Sequence, residues 1–313
     1  MNVCLWALKQ SSAAVLPIIA IALFGFAGCQ RYVAPNPSVK EASVVALRKS
    51  MGGPASTEAA APTTSATPTG WATIKGTFKL NGSAPARRTL TIGSDQAVCA
   101  PGGKTVLAEE IVVDPASGGI KDVLVYLNNK KYPVDDPAWV HESYAATVDS
   151  TLEYDQKECV FLSHVFAMRS TQKLKILNSD PVGHNTNIQA SGKASQFNQT
   201  IASNGYAMYE PGGESNEPFA VSCSIHPWMA ARMIIRTNPY FAVSKPDGTF
   251  EIANVPAGVP LEFKIWQEAA SFLSNAELNG SPTKFSKGTY TVTLQPDEVH
   301  DMNVVIDAGL VTK

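Results

Sequence analysis

Apolar and polar residues alternate in short runs along most of this 313-residue chain, with Gly- or Pro-bearing turns between the runs. Trp71 to Leu80 alternates and ends at Asn81-Gly82, which predicts a strand running into a tight turn. Ile120 to Leu127 reads as a second, apolar strand, entered through Gly118-Gly119. After Ser150 the pattern tightens, and Cys159 to Met168, Leu174 to Leu177, Met208 to Glu210, Phe219 to Ser222 and Arg232 to Arg236 all read as strands. Phe241 to Ser244, Thr249 to Ala253, Leu261 to Trp266, Thr289 to Leu294 and Met302 to Ile306 continue the series. Residues 130–150 look irregular, and Ala269 to Leu278 reads as a short helix. Strands at this spacing predict a mainly β protein built as sandwiches.

The N-terminal stretch does not share this pattern. Residues 1–29 hold one Lys, no acid and an apolar run from Ala13 to Phe26 that contains Pro17. That run is shorter than the roughly 20 residues a membrane span needs, so it reads as a secretory signal. Its end, Phe26-Ala27-Gly28-Cys29, resembles a bacterial lipobox, which implies lipidation at Cys29 and a periplasm-facing outer-membrane or cell-surface location. Residues 30–70 are rich in Ala, Pro, Ser and Thr and read as a disordered tether, because they hold too little apolar material for a core. With 44% hydrophobic residues, the whole chain still has enough for one or two folded domains. Basic and acidic side chains number 25 and 27, so nothing in the charge favours nucleic acid. The membrane, through the lipid, is an expected partner.

Chemistry concentrates in two places. Asn178-Ser179-Asp180-Pro181-Val182-Gly183-His184-Asn185 follows a predicted strand, and Cys223-Ser224-Ile225-His226-Pro227-Trp228-Met229 lies between two others. One thiolate, two imidazoles and a thioether form the donor set of a blue-copper electron-transfer site. His184, Cys223, His226 and Met229 are therefore the candidate ligands of one copper ion, with Pro227 stiffening the ligand loop. Of the five Cys, Cys4 leaves with the signal, Cys29 carries lipid and Cys223 is wanted as a thiolate. Cys99 and Cys159 then form a disulfide or stay as two unpaired thiols. His164 reads as a strand histidine beside that pair, His141 and His300 as solvated, Met168 and Met233 as core, and Asp180 as a local turn residue. No arrangement of nucleophile and base suggests catalysis. The five His are too few for the second copper cluster that nitrite reduction would need.

The block over residues 141–237 resembles a cupredoxin, a Greek-key β-sandwich, and its ligand loop is similar to that of amicyanin. The resemblance implies a non-enzymatic carrier cycling Cu(II)/Cu(I). It implies Asn185 as the residue tying the two ligand-bearing loops together, and the exposed edge of His226, flanked by Trp228, as the electron port. Asp247-Gly248-Thr249-Phe250-Glu251-Ile252 followed by Val255-Pro256-Ala257-Gly258 resembles a carboxypeptidase regulatory-like, transthyretin-type sandwich. That implies a second β-sandwich made of residues 71–140 and 238–313, split by the cupredoxin block. The alternatives are a non-redox copper-binding or delivery protein, and a structural carbohydrate-binding-like sandwich.

Overall fold

The computed structural model describes residues 67–128 and 130–312; the expected signal, Cys29 and residues 30–66 of the tether lie outside the described residues. The fold is mainly β. No described helix is long and apolar enough to cross a membrane.

Strands from both ends of the described chain build one pair of sheets. In the first sheet Gly70–Asn81 pairs antiparallel with Thr249–Ala257 and parallel with Val299–Asp301 and Val304–Asp307. Asn275–Leu278 and Ser281–Lys284 extend it. The second orders Phe241–Val243, Leu124–Leu127, Pro260–Gln267 and Ser271–Phe272, with Thr289–Thr293 also on Pro260–Gln267. Ile74, Phe78, Val125, Leu127, Phe250, Phe263 and Ile306 fill the space between them. The alternation of Gly70–Asn81 is what sends Ile74 and Phe78 to that core.

Residues 151–236 form the other pair. Phe197–Ile201, His184–Ile188, Phe219–Ser222, Ala230–Arg236 and Val165–Arg169 make one sheet. Tyr206–Tyr209, Lys173–Asn178, Thr151–Lys157 and Val160–Phe161 make its mate. Tyr154, Met168, Leu174, Ile176, Val221, Met233 and Ile235 lie in the core of this pair. The chain leaves and re-enters the first pair of sheets at one place, where the Tyr240 hydroxyl donates to Trp139 O at 2.8 Å and accepts from His141 N at 3.2 Å.

Leu124–Leu127 is buried at all four positions because it serves both bodies. Val125 and Leu127 face the first core, whereas Leu124 and Tyr126, with Trp266 of the adjacent strand, pack against Val165 and Ile234 of the neighbouring sheet. An unbroken apolar run is the sequence mark of a strand covered on both faces.

Several residues behave otherwise than the sequence suggests. Ala269 to Leu278 is not helical: the Gln267 side chain accepts from the backbone N–H of Ala269 (2.7 Å) and Ala270 (3.0 Å), Ser271 adopts φ 60°, and short strands follow. His141 is half-buried, edge-on to Trp71 at 5.1 Å, and its Nδ1 accepts from Ser143 N at 3.1 Å. His300 is also half-buried, bonded to the Tyr290 hydroxyl at 2.7 Å and Glu298 at 3.0 Å. Residues 142–147, grouped by sequence with the copper block, pack on the outer sheets, where the Tyr144 hydroxyl donates to Ala253 O at 2.7 Å. In the opposite sense, Ile92, Val98 and Cys99 leave their expected sandwich and join the core of residues 151–236.

Gly76 tests the closure of the split sandwich. A Cβ there would stand 1.9 Å from Met302 O, so the N-terminal strand and the C-terminal segment can meet only around glycine. Gly76→Ala is expected to lower unfolding stability by about 3 kcal/mol, measured by urea titration. An unchanged midpoint would show that the two chain ends do not pack this way.

Candidate metal centre

Two local devices place the candidate ligands, a strand start for His184 and one closed loop for the other three. His184 opens the strand His184–Ile188 and is fully buried. Cys223 follows directly on Phe219–Ser222, and the loop beyond it closes on itself. Its three closing bonds run from Cys223 N to Met229 O (3.2 Å), from Met229 N to His226 O (2.9 Å) and from His226 N to Cys223 Sγ (3.4 Å). Pro227 is exposed within this turn, and the Met229 side chain is buried. Asn185 joins the two loops: its Oδ1 accepts from Ser224 N at 3.0 Å, and its own N–H donates to Cys223 Sγ at 3.3 Å. The sulfur therefore receives two backbone N–H groups, one lever by which a protein tunes a metal-bound thiolate.

One ligand atom from each of His184, Cys223 and His226 falls within 4.8 Å of the others. The two Nδ1 atoms face each other at 2.9 Å, and His226 Nδ1 is 4.0 Å from Cys223 Sγ. The outer nitrogens are held by carboxylates: His184 Nε2 lies 2.7 Å from Asp180 Oδ2, and His226 Nε2 lies 2.9 Å from Asp95 Oδ2. Ionised carboxylates only accept, so this network assigns a proton to both Nε2 atoms. Both Nδ1 lone pairs then point into the same space at 2.9 Å, an arrangement that repels unless a cation, or one shared proton, lies between them. The Cys223 sulfur beside them is a soft donor, and two imidazoles with a cysteine sulfur fit copper better than a hard cation. Burial pushes the His184 pKa below the usual imidazole value, opposed by Asp180, so the ring stays neutral and able to ligate near pH 7.

Three sequence expectations change here. His226 has no exposed surface, so the open edge implied for it is absent: Asp95 and the segment that carries it lie against the ring. Asp180 is far more than a local turn residue, since its carboxylate also accepts from Glu158 N (2.7 Å) and Cys159 N (2.9 Å). His164 precedes the strand Val165–Arg169, is buried, and pairs through Nε2 with Glu268 at 2.5 Å without joining the ligands. Cys99 and Cys159 are bonded, their sulfurs 2.00 Å apart and 60 residues separate in sequence. Trp228 is half-buried; its indole N–H donates to Cys159 O at 3.2 Å and its ring lies 5.0 Å from that of His226. Asp95 was missed because it sits far from the ligand loop in sequence, in a Gly-Ser-Asp stretch that resembles any turn.

No family model matches this chain, and no curated protein matches it. Among solved structures, a Cu(I) amicyanin mutant aligns at 9% identity over 28% of this chain and 82% of its own, with TM-score 0.24. Another reduced amicyanin mutant, at pH 4, aligns at 13% identity over 33% and 95%, with TM-score 0.24. A copper-containing nitrite reductase from Thermus scotoductus aligns at 13% identity over 27% and 22%, with TM-score 0.25.

The depressed His184 pKa has a stability consequence in the metal-free chain. The folded ring resists protonation that the unfolded ring accepts, so its neutral burial favours folding above the unfolded pKa of about 6.5 and that benefit is lost on acidification. Unfolding midpoints are expected to fall between pH 7 and pH 5, with a shallower fall in His184→Gln. An equal fall in both proteins would remove His184 as a source of the pH dependence.

Proposed function

We propose that this chain is a blue-copper protein of the cupredoxin type, holding one copper ion with His184, Cys223, His226 and Met229 and carrying one electron. The observation that supports the reading most directly is the pair of Nδ1 atoms converging at 2.9 Å beside the Cys223 sulfur, with both outer nitrogens already committed to carboxylates. Copper bound there would supply a one-electron change between Cu(II) and Cu(I). The residues of the chain do the remaining work. Asp180 and Asp95 fix the tautomer and direction of each ring, as carboxylates behind metal-bound imidazoles do. Asn185 and the loop's own backbone hold Cys223 and limit movement between oxidation states. The proposal extends to an exported protein, anchored by lipid at Cys29 and exchanging electrons with a redox partner.

The closed edge of His226 favours a second reading, a copper-holding or delivery protein with slow electron exchange. The electron self-exchange rate separates the two. Equimolar Cu(II) is expected to give the carrier an intense blue thiolate-to-copper band and narrow EPR hyperfine splitting, both lost in Cys223→Ala. A colourless protein, or one preferring Zn(II), overturns the copper reading. Asn185→Ala, which frees Ser224 N–H, is expected to weaken copper affinity about 10- to 100-fold in a competition titration with a chelator.

A further inference from the structure

Since no part of His226 is exposed, a docking protein cannot touch the outer edge of that ring, and electrons need another way in. A cavity of about 280 Å³ supplies one. It lies between residues 87–110 and the ligand-bearing body, and its lining runs from Arg88 and Lys104, whose side chains are more than half exposed, to the buried Met229. Trp228 lines it too, so a single aromatic side chain joins the cavity to His226. Phe161 adds a second ring to the wall.

Among the polar residues that line this cavity, His164 is buried, only 6% exposed. Its Nε2 lies 2.5 Å from Glu268 Oε2, while the other Glu268 oxygen is taken by Arg232 Nε (2.9 Å) and Nη2 (2.8 Å). Burial alone would raise the Glu268 pKa, but His164 and Arg232 outweigh it and hold the carboxyl below its usual value. In the neutral ring, bonded through Nε2 to the Glu268 carboxylate, the lone pair lies on Nδ1. Among the described residues Nδ1 has no hydrogen-bond partner. At the mouth, Arg87 pairs with Glu109 and Lys104 with Glu158, so the charges there compensate one another and select no charged ligand.

We propose that this cavity binds a small neutral phenol of the hydroquinone class and that His164 Nδ1 takes its proton as the ring gives up an electron. The assignment rests on the copper reading. A single aromatic ring suits the volume and the aromatic walls, the ligand has no charge to pair, and a phenol near neutral pH gives up its electron most readily when a base takes the proton. In the step, the phenolic O–H bond breaks, the proton goes to Nδ1, and the electron would leave by way of Trp228 or Met229 toward copper held at the proposed site, which would take it up by going from Cu(II) to Cu(I). A neutral phenoxyl radical leaves, and two such radicals disproportionate in solution to one hydroquinone and one quinone.

The test uses the copper-loaded chain under anaerobic stopped flow, with hydroquinone and ferrocyanide as parallel reductants and the blue band as readout. The hydroquinone rate is expected to saturate with concentration. His164→Gln, whose amide can still donate to Glu268 but is not a base, should lower the ratio of hydroquinone to ferrocyanide rates about 100-fold. Leu107→Trp, which fills the cavity, should abolish saturation. Calorimetry on the copper-free chain should show hydroquinone binding that survives His164→Gln and disappears in Leu107→Trp. A linear rate dependence, an unchanged ratio in His164→Gln, or binding that Leu107→Trp leaves intact would each overturn the proposal. A chain that binds hydroquinone in this cavity but takes up no copper would overturn the copper reading and, with it, the electron step, while the ligand assignment stands.

Discussion

The bond between Cys99 and Cys159 is the constraint on which the candidate metal centre depends, although neither sulfur is one of its proposed ligands. Cys99 ends the one-turn helix Gln96–Cys99, and Asp95, directly before that helix, accepts from His226 Nε2. Cys159 gives its backbone N–H to Asp180, and Asp180 accepts from His184 Nε2. The disulfide thus ties together the two carboxylates that orient the two imidazoles. Without it, Asp95 would be carried on a short segment with little burial of its own, and ordering that segment over His226 would cost backbone entropy of about 1–2 kcal/mol per residue. Closing a loop of 60 residues removes much of that freedom from the unfolded chain, worth about 4 kcal/mol in the chain-entropy account.

The fold explains how such distant parts of the chain come together. Both crossings between the sandwiches run past Tyr240, so residues 151–236 leave and return at one point of the outer scaffold. The sheet containing Leu124–Leu127 is then covered on both faces, and Arg236 reaches across it with Nη2 3.2 Å from Leu127 O and its guanidinium 5.0 Å from the Tyr126 ring. The outer scaffold also contributes Glu268, which anchors His164 and Arg232 of the inserted body. The inserted sandwich is therefore held from two sides, and the covering segment crosses over to it from the flank.

What was legible in the sequence is what short range decides. Cys223, His226 and Met229 share one tight loop, so their spacing alone marks them as candidates together, and His184, which the fold brings beside Cys223 and His226, stands at the start of a strand. Asp95 and Asp180 were not legible as site residues, because Ser-Asp and Asn-Ser-Asp-Pro are ordinary turn sequences and only the folded chain brings their carboxylates to the imidazoles. Ala269 to Leu278 failed for a related reason: local helix propensity is weak, and the Gln267 side chain together with sheet pairing outweighs it. His141 and His300 have polar neighbours in sequence, yet Trp71 and Tyr290 come to them from other strands.

Covering His226 has an electrostatic consequence as well as a steric one. An imidazole edge open to water changes its solvation when the charge of the centre changes, and that reorganisation slows electron transfer. Here the outer nitrogen faces the Asp95 carboxylate, which would be oriented before the proposed copper changed charge and would need no rearrangement afterwards. The fixed negative charge of Asp95 also favours the more positive oxidation state of whatever lies between the rings, as Asp180 does on the other side. Opposing this, the two backbone N–H groups on Cys223 Sγ would draw charge from a metal-bound thiolate and favour the reduced state of the proposed centre. The centre is therefore balanced by groups fixed on three separate stretches of chain, and the disulfide keeps two of them in register.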